Sequence, residues 1–261
     1  MDLFRLAWRF LRIGAMNELQ YRVNFFIQLF DVLLALGTGL VALGLVFSHT
    51  SDLRGWTSTE LLAVMGVHIL MGGLIRTTIQ PNMLRLLTDV QQGTLDYALT
   101  KPPDAQVLVS VREFRIWQMV DVVIGAAVMG VAVLRLQAGI GIWQALGFAA
   151  ALLFGALMVY SFWLMITTGA FWVVRMESVV ELFQGIYAAG RWPVGIYPDW
   201  LRTGLTFLVP IAFAVTVPAE ALTARLTGQT LLAAAGLAAF FLLLSRWVWK
   251  TGLRRYSGAS A

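Results

Sequence analysis

The chain has 261 residues, of which 59% are hydrophobic and only 13% are charged. Because a soluble domain carries about 25% charged residues, this composition excludes an ordinary soluble protein and predicts an integral membrane protein. The net charge of +5 does not indicate a nucleic-acid binder, because the basic residues cluster at the ends of apolar runs, as the positive-inside rule predicts. The chain has no cysteine, which excludes disulfides and cysteine-ligated zinc.

The first predicted element is an amphipathic helix over residues 2–16. Arg5, Arg9 and Arg12 lie at i, i+4 and i+7 on one narrow face, and mostly apolar residues fill the remainder. This pattern is typical of a helix that lies in the membrane interface with its basic stripe towards anionic lipid head groups. It fits both a plain cytoplasmic anchor and a mechanical role. The arginines also precede any apolar core, so no cleavable signal peptide is predicted.

Five apolar runs are long enough to cross a bilayer, which takes about 20 residues. They cover approximately 24–47, 60–79, 114–134, 143–174 and 231–248. A short polar loop separates the first two runs, and Ser58 or Thr59 in that loop is expected to cap the second helix.

The longest strongly polar interval, 76–104, lies between the second and third runs. Its apolar residues recur at helical spacing and predict one face of an amphipathic helix: Met83, Leu86, Leu87 and Val90. The polar residues of the same helix take the other face: Arg85, Thr88, Asp89, Gln91 and Gln92. Gly93 is expected to close this helix in a left-handed conformation, and Pro102 and Pro103 are expected to stop any helix after it. An ordered, charged segment between two spans indicates a docking surface.

The number of spans is constrained by the two chain ends. Both ends are rich in basic residues, which predicts that both termini are cytoplasmic and that the number of spans is even. Because five runs are clear, only one further crossing fits into the ambiguous region 176–221.

Two arrangements of this region are compatible with the residues. In the first, 177–196 crosses the membrane and 199–222 enters and leaves on the outer side as a proline-broken re-entrant hairpin. In the second, 177–200 is a cytoplasmic loop and 201–221 crosses. The distribution of basic residues between the two sides slightly favours the second, whereas irregular backbone buried in protein permits the first. Both arrangements stay open at this level.

Three ionisable residues lie inside predicted spans: Asp31, His68 and Asp121. Such residues are candidates for function. The pattern nevertheless favours pairing with Arg76, Arg115 or a helix backbone at a protein–protein contact over a substrate or proton role. The two acids lie near the cytoplasmic ends of their spans and far from other acids in sequence, which argues against a proton relay.

Motifs for catalysis are missing. The only lysines, Lys101 and Lys250, do not follow a glycine, so the chain has no P-loop. The two histidines are not spaced for a metal site, and no serine lies in a G-x-S-x-G elbow. We therefore predict that the chain is not an enzyme and carries no metal or cofactor of its own.

Two stretches resemble the type-2 ABC exporter permease family: GTLDYALTKPPD after the second run, and GRWPVGIYPDWLRTGLTFLVPIAFAVTVPAEAL before the last. Within that family, the chain is most similar to the six-span bacterial permeases that work with a separately encoded ATPase, and the resemblance extends over essentially the whole chain. It implies an all-α polytopic membrane protein with one permease domain over 1–261. The interfacial helix would lie in 1–22, a cytoplasmic coupling helix in 80–106, and the outer re-entrant hairpin in 199–222. The hairpin region is marked by Pro198, Pro210, Pro218 and Glu220.

The resemblance also implies partners. A separate ATPase subunit would bind ATP and magnesium, and a second permease, identical or homologous, would complete the path between the first, second and fifth spans. The coupling residues would be Arg85, Asp89, Gln92, Asp96 and Lys101, with Gly93 and Pro102 setting the shape of the loop. The expected location is the bacterial inner membrane, with lipid but no nucleic acid as a further partner.

Two rival functions come from other classes. A membrane scaffold or assembly factor would use the same amphipathic segments to recruit soluble proteins without transport. A secondary transporter is disfavoured, because no inverted repeat is apparent and acids deep in the spans are few. No residue pattern indicates the transported substrate.

Overall fold

In the computed structural model, the described residues are 22–136, 141–172 and 177–256, with five single positions nearer the N-terminus. These residues form helices joined by turns, with no strand among them, which confirms the predicted all-α class. The predicted interfacial helix lies almost wholly outside the described residues. Arg5 and Arg9 are not described, and Arg12 is exposed.

The α-helices, in chain order, are α1 (Arg22–Phe47), α2 (Ser58–Leu74), α3 (Gln80–Gln91), α4 (Asp96–Leu99), α5 (Ala105–Ser110), α6 (Met119–Leu136), α7 (Ile142–Thr168), α8 (Glu177–Ala189), α9 (Asp199–Thr203), α10 (Val217–Leu222) and α11 (Gly228–Leu253). Short π-helical turns occupy Ile75–Ile79, Gly204–Leu208 and Ala212–Thr216, and 3-10 turns occupy Ile116–Gln118, Gly169–Phe171 and Val194–Ile196. Within the described ranges, five helical stretches are long and apolar enough to cross a membrane, and they coincide with the five predicted runs.

Helix α2 lies at the centre of the bundle. Of its 17 residues, 13 are buried, whereas only three of the residues of α6 are. Its first turn is closed by Thr57, which accepts a hydrogen bond from the Glu60 amide while the Glu60 carboxylate accepts from the Thr57 amide. The expectation of a cap at Ser58 or Thr59 is therefore wrong by one residue, because both of those positions are already inside the helix.

The second span continues without a break into the polar segment. Helix α2, the π turn and α3 form one helix of 34 residues, Ser58–Gln91. At 1.5 Å per residue this helix is about 51 Å long, roughly 20 Å more than the hydrocarbon core of a bilayer. This length is enough for the α3 end to extend beyond the membrane in continuity with the span.

Pro81 explains how this long helix is joined to the third span. Proline has no amide hydrogen, so the carbonyl four residues earlier, that of Thr77, loses its helical donor. The Arg115 amide donates to this carbonyl at 3.1 Å instead. The neighbouring Asn82 side chain donates to the Glu113 carbonyl at 2.7 Å and accepts from the Glu113 amide at 2.9 Å. The chain entering α6 is thus pinned to the π turn.

Helices α2 and α6 pack through glycine, with backbones in direct contact. A Cβ atom on Gly66 would lie 2.7 Å from the Met129 amide nitrogen, and one on Gly125 would lie 2.7 Å from the Leu70 Cα. Such distances are too short for any side chain. These glycines permit the close approach that is common between membrane helices.

The hairpin region is arranged by contacts with α2. Arg54, just before α2, donates to the Gly195 carbonyl at 2.9 Å. After the hairpin, the Arg225 guanidinium donates to both carboxylate oxygens of Glu60 at 2.7 and 2.8 Å and lies 4.6 Å from the centre of the Trp56 ring. The chain therefore enters and leaves the hairpin at the same end of α2, which we call the Arg54 end.

Helix α8 and the residues after it run along α2 towards that end. Gln184 lines a small cavity with Gln80, near the α3 end, whereas the Tyr187 hydroxyl donates to the His68 carbonyl at 2.8 Å, half-way along α2. The next segment reaches the Arg54 end at Gly195. The two halves of the hairpin, Asp199–Leu208 and Ala212–Leu222, meet at 78°. A bend of this size fits both a broken span and a re-entrant hairpin, so the crossing by 177–196 followed by a re-entrant hairpin stays a prediction.

The α2–α6 contact gives a first prediction. Gly125→Ala places a methyl group against the α2 backbone and should destabilise the protein by about 1–3 kcal/mol through overpacking. Gly130→Ala is the matched control in the same helix, since nothing lies within 4 Å of its added Cβ, and it should be neutral or slightly stabilising. Thermal unfolding in mild detergent measures both, and equal midpoints would contradict the backbone contact.

The hairpin gives a second prediction. Because the chain has no native cysteine, single cysteines at the exposed positions Ser51, Trp200 and Thr100 report sidedness directly. An impermeant thiol reagent should label Ser51→Cys and Trp200→Cys from one side of the membrane and Thr100→Cys from the other. Labelling of Trp200→Cys from the same side as Thr100→Cys would select the second arrangement.

Candidate functional site

The apolar face of α3 is buried as predicted. Met83 and Leu86 have no exposed surface, Leu87 is 5% exposed, and Val90 packs at the edge of the same core. The Thr167 hydroxyl of α7 contacts the Met83 sulfur at 3.5 Å. The helix that projects from the membrane is therefore seated on the rest of the bundle rather than free in solvent.

Asp89 is placed differently from the prediction. Helical spacing puts it on the exposed polar face, but it is only 3% exposed. Its carboxylate accepts from Arg112 at 2.6 Å, from Arg85 at 3.2 Å and from the Thr94 hydroxyl at 3.1 Å. The predicted face is wrong because the later chain, up to Arg112, folds back over this side of α3. Asp89 is thus a positioning residue that joins the outgoing and returning chains.

Gly93 ends the helix as predicted. It has a φ of +69°, and the next amides, those of Thr94 and Leu95, donate to the Asp89 carbonyl at 2.9 and 3.2 Å. The four-residue helix α4 begins at Asp96, which is partly buried. The other predicted contact residues of the loop, Gln92, Lys101 and Pro102, are exposed.

Two apolar side chains on this loop are absent from the predicted contact residues. Tyr97 is 75% exposed and Leu99 is 37% exposed, both in α4. An aromatic residue and a leucine inside a polar interval between Gly93 and Pro102 are the sequence signal that could have marked them. We call the exposed residues Gln92, Tyr97, Leu99 and Lys101 the loop surface.

Asp104 anchors the far end of the loop. It caps α5, with its carboxylate accepting from the amides of Gln106 and Val107, and it accepts from Arg246 of α11 at 2.9 Å. The hydrogen bond from Arg246, reinforced by these amides, lowers the pKa of the Asp104 carboxyl. Together with the Asp89 contacts, this pair fixes the loop to two different parts of the bundle.

A polar cavity of about 320 Å³ lies between α1, α2, α6 and α8. At its base, Asp121 has no exposed surface and is bound by Arg76, whose Nε donates to Oδ2 at 3.0 Å. Gln28 of α1 donates to the other oxygen at 2.6 Å. The prediction that Asp121 pairs with a cation is confirmed for Arg76, and Arg115 is exposed.

Two further residues of the cavity lack such partners. Asp31 lines the cavity and makes no ion pair or side-chain hydrogen bond with any described residue, so it pairs with neither Arg76 nor Arg115, and its pairing at a protein–protein contact stays a prediction. The His68 ring stacks on Tyr187 with centroids 4.6 Å apart. Its Nδ1 is buried and has no hydrogen-bond partner among the described residues.

The four residues that marked the predicted hairpin lie within its two bent halves or directly beside them. Pro198 precedes α9, Pro210 is buried at the bend, and Pro218 lies in the first turn of α10. Glu220 is partly buried, and its carbonyl accepts from the Arg225 amide at 2.9 Å. In the described part of the chain, no three acidic or histidine side chains converge as a metal site would require.

Comparison with known proteins identifies one family. A family model described as ABC-2 family transporter protein matches residues 33–260, which is most of the chain. Neither a curated protein nor a solved structure matches.

Proposed function

Because the chain belongs to the ABC-2 transporter family and is a multi-pass membrane permease, we propose that it forms the export path of a transporter driven by a separate ATPase subunit. The ATPase docks on the loop surface, and it supplies the sites for ATP and magnesium. A second permease, identical or homologous, completes the path. The complex lies in a bacterial inner membrane with both termini cytoplasmic.

The observation that carries this proposal is the rigid extension of a membrane span out of the bilayer. Ser58–Gln91 is one helix, so a displacement of its α3 end is a displacement of the span itself. A flexible linker would absorb such a movement, because its dihedral angles would change instead. The loop that α3 carries is held by Asp89 and Asp104, so a partner bound to it moves the whole unit.

The mechanism depends on this rigidity. When two ATPase subunits bind ATP and close on each other, the docked loops move with them. Each loop then tilts the bundle of spans to which it is attached relative to the membrane. The export path then opens to the opposite side of the membrane. The arginines of the predicted interfacial helix, Arg5, Arg9 and Arg12, would be attracted to anionic lipid.

The exposed residues of the loop surface supply the contact. Tyr97 is the strongest candidate, because a large exposed aromatic side chain on a rigid turn is typical of the residues that dominate binding energy at interfaces. Gln92 and Lys101 supply polar contacts around it. Arg85 contributes from the side of α3, since its side chain is 54% exposed.

The test of this function is copurification from the native host. The tagged chain should bring down an ATPase subunit, and Tyr97→Ala should weaken that association by about tenfold or more. Tyr97 is exposed, so its removal should leave folding intact. Thr100→Ala, an exposed neighbour on the same turn, is the matched control and should copurify normally.

Two outcomes would contradict the proposal. A folded chain that reproducibly copurifies without any ATPase is a scaffold or another kind of transporter. If the ATPase binds Tyr97→Ala as tightly as it binds the native chain, its docking site lies elsewhere.

A further inference from the structure

We propose that the polar cavity binds the head group of the transported molecule, and that it selects a zwitterion: a molecule with one anionic and one cationic group on an apolar body. This inference rests on the proposed export function and names the class of its substrate. It is argued from the charges, the unsatisfied polar atoms and the apolar wall of the cavity.

Four charged side chains line the cavity, and two of them neutralise each other. Arg76 and Asp121 form an ion pair in which both carboxylate oxygens are already occupied, one by Arg76 and the other by Gln28. The remaining two are Asp31 and Arg191. Neither makes an ion pair with another described residue, and they do not pair with each other. The cavity therefore presents one free negative and one free positive charge.

The location makes these free charges informative. Asp31 is an exposed residue of α1, about two turns into the first span. Arg191 directly follows Gly190, which packs beside His68, half-way along α2. An unpaired charge within a membrane span is energetically costly and is found where it serves a ligand, an ion or a water-filled path. The cationic group of a zwitterion would stabilise Asp31, and its anionic group would stabilise Arg191.

Unsatisfied polar atoms give independent support. The His68 Nδ1 and the Gln118 Oε1 are buried without a hydrogen-bond partner among the described residues, and both residues line this cavity. Buried polar atoms are nearly always hydrogen-bonded. Two unsatisfied polar atoms in the lining of one cavity leave hydrogen-bonding capacity for a polar ligand.

The cavity also has an apolar part, which we call its apolar wall. It is formed by Val32 and Ala35 of α1 and by Met65 and Ile69 of α2. The volume of about 320 Å³ lies at the small end of ligand sites, which suits a head group better than a whole amphiphile. The outer face of α1 is exposed along most of its length, so the apolar body of a ligand has an open route past this helix.

Charge decides between the ligand classes. A simple anion would gain from Arg191 and be repelled by Asp31, and a simple cation would have the opposite balance. A neutral amphiphile would gain from neither. Only a ligand with both charges satisfies both side chains, while the apolar wall holds its body.

The test uses protection of a single cysteine. In the assembled transporter in vesicles, Ala35→Cys should react with methyl methanethiosulfonate, a small neutral reagent, from within the cavity. N-dodecyl-N,N-dimethylglycine, a zwitterion, should slow this reaction at about tenfold lower concentration than dodecanoate, dodecyltrimethylammonium or dodecanol. Ser51→Cys, in an exposed loop, is the reference and should react at the same rate with every probe.

Two variants test the assigned charges in opposite directions. Asp31→Asn removes the repulsion of anions, so dodecanoate should become as protective as the zwitterion. Arg191→Gln should do the same for dodecyltrimethylammonium. Both variants change one charge only, so a general loss of folding cannot produce opposite selectivities.

Several results would overturn the inference. Equal protection by dodecanol would show that the cavity binds only an apolar chain, and equal protection by one singly charged probe in the native chain would show a simple anion or cation site. No protection by any probe, with Ser51→Cys reacting normally, would also exclude it. Copurification of the ATPase is scored separately, so a failure of this inference is distinguishable from a failure of the proposed export function.

Discussion

The buried carboxylate of Asp89 joins the helix that leaves the membrane to the chain that returns to it. Its two cationic neighbours come from opposite sides, Arg85 from the same helix and Arg112 from the approach to the third span. The Arg112 contact is the stronger one, because both partners are largely buried, whereas the Arg85 side chain is half exposed and screened by water. Removing one partner of a buried pair leaves the other charge uncompensated, which typically costs about 3–5 kcal/mol.

The same helix connects this pair to the polar cavity. Between Asp89 and the cavity lie Pro81, whose missing amide ties the π turn to Arg115, and Arg76 in that turn, which binds Asp121. π-Helical turns inside α-helices are often found at functional positions. A movement of the loop surface would therefore reach the cavity through one continuous helix, and the Arg76–Asp121 pair lies where that movement would alter the cavity wall.

Local sequence pattern is enough to predict part of this structure. The five long spans, the apolar face of α3 and the left-handed conformation of Gly93 are predictable from composition, period and residue type. The predicted face of Asp89 is wrong because helical spacing does not reveal which chain folds over a helix. The path of the hairpin region cannot be predicted from sequence for a related reason. It depends on the contact between Glu60 and Arg225, which lie 165 positions apart, and no local pattern indicates such a contact. Arg76 binds Asp121 and not Asp31, which only the assembled bundle shows.

The central claim is that Asp89 makes the loop and the second span move as one body, and the most direct test is the response of the cavity to ATP. The readout is the reaction rate of Ala35→Cys in the assembled transporter, with and without ATP. In the native background and in Thr100→Ala, which removes an exposed side chain of the same loop, ATP should change the rate. In Asp89→Asn the ATPase should still copurify through the loop surface, but the rate should no longer respond to ATP. A response of native size in Asp89→Asn would contradict the account.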